Sequence, residues 1–155
     1  MGDSRAANLR PHSQKQPAFT LRTFALDTAV TLLLAEDEPL VLLSTQDALE
    51  AGGYRVLPAT SGAEALDILE REIERISGLI TDVRLGEGPD GWELARRARE
   101  LRPDLPVVYA TADGATDWPV QGVPHSLLIQ KPYSPAQPVT CISTLLTKAG
   151  ARKAA

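Results

Sequence analysis

Residues 79–91 read LITDVRLGEGPDG, and this stretch decides the fold. It opens with a short apolar run that is typical of a buried strand. A single carboxylate, Asp82, stands where that strand ends, and glycines follow it. Burying such a charge alone is costly, so Asp82 needs partners. The groups that reach the same place in the fold therefore decide what Asp82 does.

Four other short apolar runs have the pattern of strands buried on both faces of a parallel sheet. They are VTLLLA (30–35), YRVLPA (54–59), PVVYAT (106–111) and SLLIQ (126–130). Helical patterns separate them: Gly52 and Gly53 end the first helix, and Ser61 and Asp90 open the next two as N-caps. Five strands that alternate with helices predict a doubly wound α/β fold.

The segment between the fourth and fifth strands breaks this pattern. It reads DGATDWPVQGVPH, residues 113–125, and contains two glycines and two prolines. Glycine weakens a helix and proline interrupts one, so the sequence predicts a fourth helix that is short or disordered. We also expect residues 112–124 to be mobile, because so broken a segment makes few buried contacts.

Composition limits the classes of function. The chain has 155 residues and a net charge of −4, which favours one globular domain and gives no basic surface for nucleic acid. Cys141 is the single cysteine, so an internal disulfide is excluded. No apolar run approaches the roughly 20 residues of a membrane span, and no signal-peptide pattern is present. We expect a cytoplasmic protein with no membrane partner.

Three segments are predicted along the chain. Residues 1–27 are polar and lack a helical or strand period, which indicates a flexible N-terminal extension. Residues 28–150 form the folded domain, and residues 151–155 form a C-terminal tail.

Polar groups follow the ends of four predicted strands. They are Glu36, Asp37 and Glu38 after the first, Asp82 at the third, Thr111 at the fourth and Lys131 after the fifth. Ligands of doubly wound sheets bind beyond these carboxyl ends, so the side chains should meet. Clustered carboxylates repel unless a cation joins them, and Mg²⁺ prefers oxygen ligands of this kind.

The same set predicts phosphoryl chemistry. With its charge offset by a cation, Asp82 can attack phosphorus as a nucleophile and form an acyl phosphate. The Lys131 ammonium and the Thr111 hydroxyl would stabilise the charge on the transferring group. Each residue alone has an ordinary explanation, such as helix capping or a surface lysine that snorkels. Their joint occurrence at matching strand ends favours a site.

Four motifs resemble, in order and spacing, the receiver domain of bacterial response regulators. They are LLLAEDEP (32–39), LITDVRLG (79–86), VVYATA (107–112) and LIQKPY (128–133). The resemblance covers about residues 29–148 and implies a flavodoxin-like parallel sheet of order 2-1-3-4-5. It also implies a Mg²⁺ cofactor, a sensor histidine kinase or histidine phosphotransferase as partner, and a signalling module that is not a multi-turnover enzyme.

The resemblance assigns a role to each residue of the acidic site. Asp82 would be the phospho-acceptor. Asp37 would bind the metal directly and Glu36 through water, with further ligands from Asp82 and the backbone carbonyl of Arg84.

The resemblance also assigns roles to residues at the ends of the fourth and fifth strands. Thr111 and Lys131 would contact the phosphoryl group, and Pro132 would orient the lysine through a cis peptide bond. Ordinary receivers carry an aromatic switch residue where this chain has Leu128. This departure, the shortened fourth helix and the motif YATA (109–112) resemble the alphaproteobacterial subgroup called FATGUY, whose members often lack an output domain. We therefore expect a stand-alone, monomeric receiver.

Two expectations concern the surroundings of the site. Arg84 and Asp113 should approach each other and limit access of water to the acyl phosphate. Leu40, Pro132 and Tyr133 should form an apolar docking face for the phosphotransfer partner, and a downstream protein target is a further expected contact.

Two alternatives stay open at the level of sequence. One is a receiver-like interaction module that never turns over phosphate. The other is a phosphatase with an aspartate nucleophile, but such enzymes usually place a second carboxylate two residues later. This chain has Arg84 there, which cannot serve as a general acid–base at neutral pH.

Overall fold

The computed structural model describes residues 29–154 and centres on a five-stranded parallel sheet. The strands are β1 (Thr31–Ala35), β2 (Arg55–Ala59), β3 (Ile76–Asp82), β4 (Val107–Thr111) and β5 (Leu127–Gln130). The helices are α1 (Pro39–Ala51), α2 (Gly62–Glu72), α3 (Gly91–Leu101), α4 (Trp118–Gln121) and α5 (Ala136–Ala154). The strand order is β2-β1-β3-β4-β5, so the predicted flavodoxin-like fold and its order are confirmed.

The sheet separates two apolar cores because successive side chains of a strand point to opposite faces. On β1, Leu33 packs with residues of α2 and α3, including Leu69 and Leu94. Its neighbour Leu32 packs on the other face with residues of α1 and α5, including Leu49 and Ile142. All five residues of β1 are buried, which explains the uninterrupted apolar run in the sequence.

The predicted helix starts have capping hydrogen bonds. The Ser61 hydroxyl accepts from the Glu64 N–H at 3.1 Å, and the Asp90 carboxylate accepts from the Glu93 N–H at 2.9 Å. These bonds satisfy backbone donors that lack an acceptor inside the helix. The first helix begins at Pro39 without a side-chain cap.

Three boundaries differ from or refine the predictions. Strand β3 begins at Ile76, two residues before the strand GLITDV (78–83) that the sequence pattern predicts, because Ile76 pairs with Thr31 across a register irregularity in β1. Helix α5 runs to Ala154, so the predicted tail over 151–155 is wrong for residues 151–154, which continue the helix. The fourth helix is short, as predicted, with four residues.

The predicted extension over residues 1–27 lies outside the described residues. Within residues 29–154, none of the helices combines the length and apolarity that crossing a membrane requires.

Candidate functional site

The carboxyl ends of β1, β3, β4 and β5 bring the predicted residues together. Asp82 is the last residue of β3 and Thr111 the last of β4. Glu36, just after β1, donates its backbone N–H to the Ala59 carbonyl at 3.0 Å. Lys131, just after β5, donates its N–H to the Thr111 carbonyl at 2.8 Å. Sheet-like bonds thus hold the chain where each side chain leaves the sheet.

Lys131 lies at the centre of the acidic site. Its ammonium nitrogen lies 2.5 Å from Glu36 Oε1, 3.0 Å from Asp82 Oδ2 and 3.5 Å from Glu38 Oε1. The side chain is 12% exposed, and burial alone would lower the pKa of Lys131. Hydrogen bonds to Glu36 and Asp82 outweigh burial and raise this pKa, so the ammonium stays charged.

The carboxylates of Glu36, Asp37 and Asp82 form a candidate metal centre. Each offers an oxygen within 4.8 Å of the others. Glu36 Oε2 is buried and accepts no hydrogen bond from any residue in the described range. An orphaned carboxylate oxygen is costly, and a bound cation would satisfy it. The donor set of hard oxygens therefore fits Mg²⁺.

The raised pKa of Glu36 also agrees with a cation site. Burial raises the pKa of Glu36 to about 7, the Lys131 ammonium opposes that rise, and the nearby Asp82 carboxylate adds to it. Without a metal, burial thus favours the protonated form of Glu36 more than in an exposed glutamate. A divalent cation would displace this proton, because metal ligands must be deprotonated.

Thr111 points its hydroxyl into a turn that follows β4. Thr111 Oγ1 accepts the N–H of Gly114 at 2.8 Å and that of Asp113 at 3.3 Å. The lone pairs are thus engaged, and the hydroxyl proton is left to donate to another oxygen. A Cβ on Gly114 would lie 2.8 Å from the same oxygen, so this position has no room for a side chain. The sequence analysis did not identify Gly114 as part of the site. A glycine three residues after Thr111 was nevertheless a signal that the backbone there packs closely against another group.

Arg84 and Asp113 meet at the mouth of the site, as predicted. Arg84 Nη2 lies 2.6 Å from Asp113 Oδ2. Both residues line a cleft of about 220 Å³, which also contains the side chains of Asp82, Thr111 and Lys131. The Arg84 backbone N–H points to Asp82 Oδ1 at 3.4 Å, a long hydrogen bond.

Glycines let the loop after β3 pack against its own strand. A Cβ at Gly91 would lie 2.2 Å from the Asp82 carbonyl oxygen, and its N–H donates to the Val83 carbonyl at 2.7 Å. Gly86 and Gly88 adopt positive φ angles of 68° and 92°. Glycine takes such angles with little strain, so the glycines after Asp82 shape its loop.

A second cleft of about 430 Å³ adjoins the site between α1 and the β5–α5 loop. Leu40, Thr45, Pro132 and Tyr133 are among its lining residues, and Lys131 borders it. Leu40 is 82% exposed and adjoins the other apolar residues of this cleft. The predicted docking residues therefore share one apolar groove beside Asp82.

The remaining predictions concern β5. The Lys131–Pro132 peptide bond is cis, as expected, and the orienting role of Pro132 stays a prediction. Leu128 pairs in register with Tyr109 on β4 and packs against the core under α2 and α3. The predicted departure from an aromatic switch residue at Leu128 stays a prediction.

Comparison with known proteins places this geometry in a family. The family model described as response regulator receiver domain matches residues 32–142. The chain belongs to this family. A solved response regulator receiver protein from Sinorhizobium medicae is 41% identical, with a TM-score of 0.75, and the match covers 79% of this chain and 98% of that one.

Two further matches are to kinases named CckA, one to a solved receiver domain and one to a whole kinase sequence. The receiver domain of the hybrid histidine kinase CckA has a solved structure that is 29% identical, with a TM-score of 0.63 over 75% of this chain and 98% of that one. The sensor kinase CckA of Brucella abortus is 32% identical over 126 residues, which are 79% of this chain. The chain spans only 13% of that kinase's length.

Family membership establishes the general class of function. Receiver domains are phosphorylatable signalling modules of two-component systems, not classified enzymes. They interact with histidine kinases or phosphotransfer proteins and generally bind Mg²⁺ at an acidic pocket. In this chain Glu36, Asp37 and Asp82 form a group of that kind.

Proposed function

We propose that Asp82 accepts a phosphoryl group from a sensor histidine kinase or a histidine phosphotransferase. Mg²⁺ would be held by Glu36, Asp37, Asp82 and the backbone carbonyl of Arg84. The observation that carries this proposal is the approach of three carboxylates within 4.8 Å, with the Lys131 ammonium 3.0 Å from Asp82. A structural ion pair alone would not need three carboxylates around one lysine, because their repulsion is costly.

The chain's own residues supply most of the chemistry. An oxygen of the Asp82 carboxylate attacks phosphorus, a P–O bond forms, and the bond from phosphorus to the donor's nitrogen breaks. The Lys131 ammonium then holds one phosphoryl oxygen, and the Thr111 hydroxyl donates its free proton to another. When bound, Mg²⁺ neutralises charge that develops on the phosphoryl oxygens.

Arg84 and Asp113 control the lifetime of the product in this proposal. Their ion pair lies at the edge of the cleft that contains Asp82. Hydrolysis of an acyl phosphate needs water to approach phosphorus on the side opposite the aspartyl oxygen. A bridge at the mouth restricts that approach, and its removal would speed dephosphorylation.

Signalling would proceed through protein contacts at the apolar groove. Leu40 and the Pro132–Tyr133 pair line the groove beside the acceptor, so a donor histidine on a partner seated there could reach Asp82. An exposed apolar surface next to a charged reactive site is typical of a protein interface. The partner could supply the phosphoryl group or drain it.

A stand-alone, monomeric, cytoplasmic receiver of the FATGUY subgroup is the finer form of this proposal. Three features support the subgroup: the motif Tyr109–Ala112, the four-residue α4, and Leu128 at the switch position. The stand-alone form is an expectation from the resemblance to this subgroup. An immunoblot of the native cells checks it, with a band near 16.7 kDa expected.

Intact-mass spectrometry after incubation with acetyl phosphate tests the acceptor. We expect the wild type to gain one phosphoryl group when Mg²⁺ is present and Asp82→Asn to gain none. Asp67→Asn, which alters an exposed aspartate on α2, is the matched control and should behave as wild type. Modification of Asp82→Asn, or an unmodified wild type with bound Mg²⁺, would contradict the proposal. Sustained hydrolysis of a phosphomonoester would favour the phosphatase alternative.

A further inference from the structure

A hydrogen bond joins α1 to the turn that carries the active-site lysine. Thr45 Oγ1 and the Tyr133 hydroxyl lie 2.8 Å apart, although the residues are 88 positions apart in sequence. Thr45 is 1% exposed and faces inward from α1. Tyr133 follows Lys131 by two residues.

Besides the side-chain bonds of Lys131 to the carboxylates, backbone hydrogen bonds hold the two ends of the turn after β5 in the part of the chain that the structure describes. At its start, the Lys131 N–H donates to the Thr111 carbonyl at 2.8 Å. At its end, the Ser134 N–H donates to Gln137 Oε1 at 3.2 Å. Pro132 has no N–H to donate. The bond between Thr45 and Tyr133 is thus the polar contact that fixes the middle of the turn.

The position of this turn controls where the lysine ammonium lies. Lys131 Nζ must stay within hydrogen-bond distance of Glu36 and Asp82, at 2.5 and 3.0 Å. A small shift of the turn would change both distances, and catalysis by positioned charge is sensitive to shifts below an ångström. Apolar packing also holds Tyr133, but packing is less directional than a hydrogen bond.

We propose that the Thr45–Tyr133 hydrogen bond is a positioning contact that sets Lys131 for phosphoryl transfer and links it to the docking groove. Both residues line the groove between α1 and the β5–α5 loop, and Lys131 borders it. A partner that presses on this groove would therefore act on the lysine through the same bond. The inference rests on the proposed function, since it assigns Lys131 a role toward the phosphoryl group.

The test uses variants that remove or restore one hydroxyl. Tyr133→Phe and Thr45→Val should each lower the rate of phosphorylation by acetyl phosphate about fivefold, the equivalent of one net hydrogen bond. Thr45→Ser keeps the hydroxyl and should restore the rate. The double variant should be no slower than either single one, because both remove the same bond. Mg²⁺ affinity should stay unchanged, since Lys131 is not a metal ligand.

Tyr54→Phe is the matched control. The Tyr54 hydroxyl shares a hydrogen bond of 2.6 Å with Ser143, and it also joins residues distant in sequence. Tyr54 directly precedes β2 and Ser143 lies in α5, so this bond is at the amino-terminal end of a strand, whereas Asp82 is at the carboxyl end of β3. Tyr54→Phe should lower thermal stability about as much as Tyr133→Phe does, without slowing phosphorylation. Wild-type rates in both Tyr133→Phe and Thr45→Val would overturn the proposal.

A second measurement does not depend on phosphorylation. The chain has four lysines, so ¹³Cε-labelled lysine gives few NMR signals. The Lys131 signal should move in Tyr133→Phe and Thr45→Val but stay in place in Tyr54→Phe and Thr45→Ser. An unmoved Lys131 signal would overturn the positioning role. If that signal moves while the wild type accepts no phosphoryl group, the inference is supported and the proposed function fails.

Discussion

Arg84 and Asp113 form an ion pair of 2.6 Å at the mouth of the cleft that contains Asp82. Their side chains are 79% and 57% exposed, so the pair adds little to stability. Because both residues line the cleft that contains Asp82, we propose that the pair affects the lifetime of the acyl phosphate rather than stability.

The first prediction concerns the lifetime of the acyl phosphate. Arg84→Ala should speed dephosphorylation by at most about fivefold, because an exposed ion pair is worth about 0.2–1 kcal/mol. Asp113→Ala should have the same effect, and the double variant no larger one. Loss of label from the phosphorylated protein, with Mg²⁺ held constant, measures the rate. Arg71→Ala, which breaks an equally exposed pair on α2, is the control. Equal lifetimes in Arg84→Ala and wild type would show that the bridge does not limit access of water.

The second prediction is a pH dependence of stability in the metal-free protein. The pKa of Glu36 in the folded state is about 7, above the ordinary value of 4.5. Between these values the folded state binds more protons than the unfolded state, so the free energy of unfolding falls as pH rises. The contribution of Glu36 is fully present below about pH 4.5 and lost as pH passes through 7, a change of about 1–3 kcal/mol.

Denaturant titrations at pH 5 and pH 8 check this contribution. Glu36→Gln cannot titrate, so the difference in stability between wild type and Glu36→Gln should change over this range. Saturating Mg²⁺ should stabilise the wild type more at pH 8 than at pH 5, because it binds the deprotonated carboxylate. A constant difference between the two proteins across the range would refute the assigned pKa.

The third prediction concerns Gly91 at the start of α3. Gly91→Ala should cost about 1–3 kcal/mol of stability, because its Cβ would lie 2.2 Å from the Asp82 carbonyl oxygen and the strand must shift. Phosphorylation should slow as well, since the acceptor moves. The control is Gly150→Ala in α5, where no heavy atom outside its own helix lies within 4 Å of the added Cβ. That change should be neutral or stabilising by up to about 1 kcal/mol. Equal stabilities for the two variants, from urea unfolding, would contradict the close packing.

The fourth prediction separates docking from chemistry. Leu40→Arg should slow phosphotransfer from a protein donor about tenfold, which is typical of a central interface residue, and leave acetyl phosphate labelling unchanged. Val120→Asp is the control, because Val120 on α4 is 85% exposed but lies outside the groove. Phosphotransfer assays with the cognate kinase or phosphotransferase give both rates. A wild-type rate in Leu40→Arg would remove the groove from the docking surface.

Much of the site could be predicted because it depends on strand ends. Asp82, Thr111 and Lys131 each end or follow a buried apolar run, and parallel strands bring their carboxyl ends to one edge. The approach of Arg84 to Asp113 followed from the same register. Helix ends were harder to predict: nothing in residues 151–154 distinguishes a continued helix from a tail.

The sequence by itself determined the alternation of strands and helices and the groups that face the site, because short apolar runs between helical patterns are typical of a covered parallel sheet. The resemblance to receiver domains supplied the strand order. Tertiary structure alone decided how those groups pair. It placed Lys131 closer to Glu36 than to Asp82, left Glu36 Oε2 without a partner in the described range, and joined Thr45 to Tyr133. Such pairings depend on distances of a few tenths of an ångström between elements far apart in the chain, and local pattern carries no information about them.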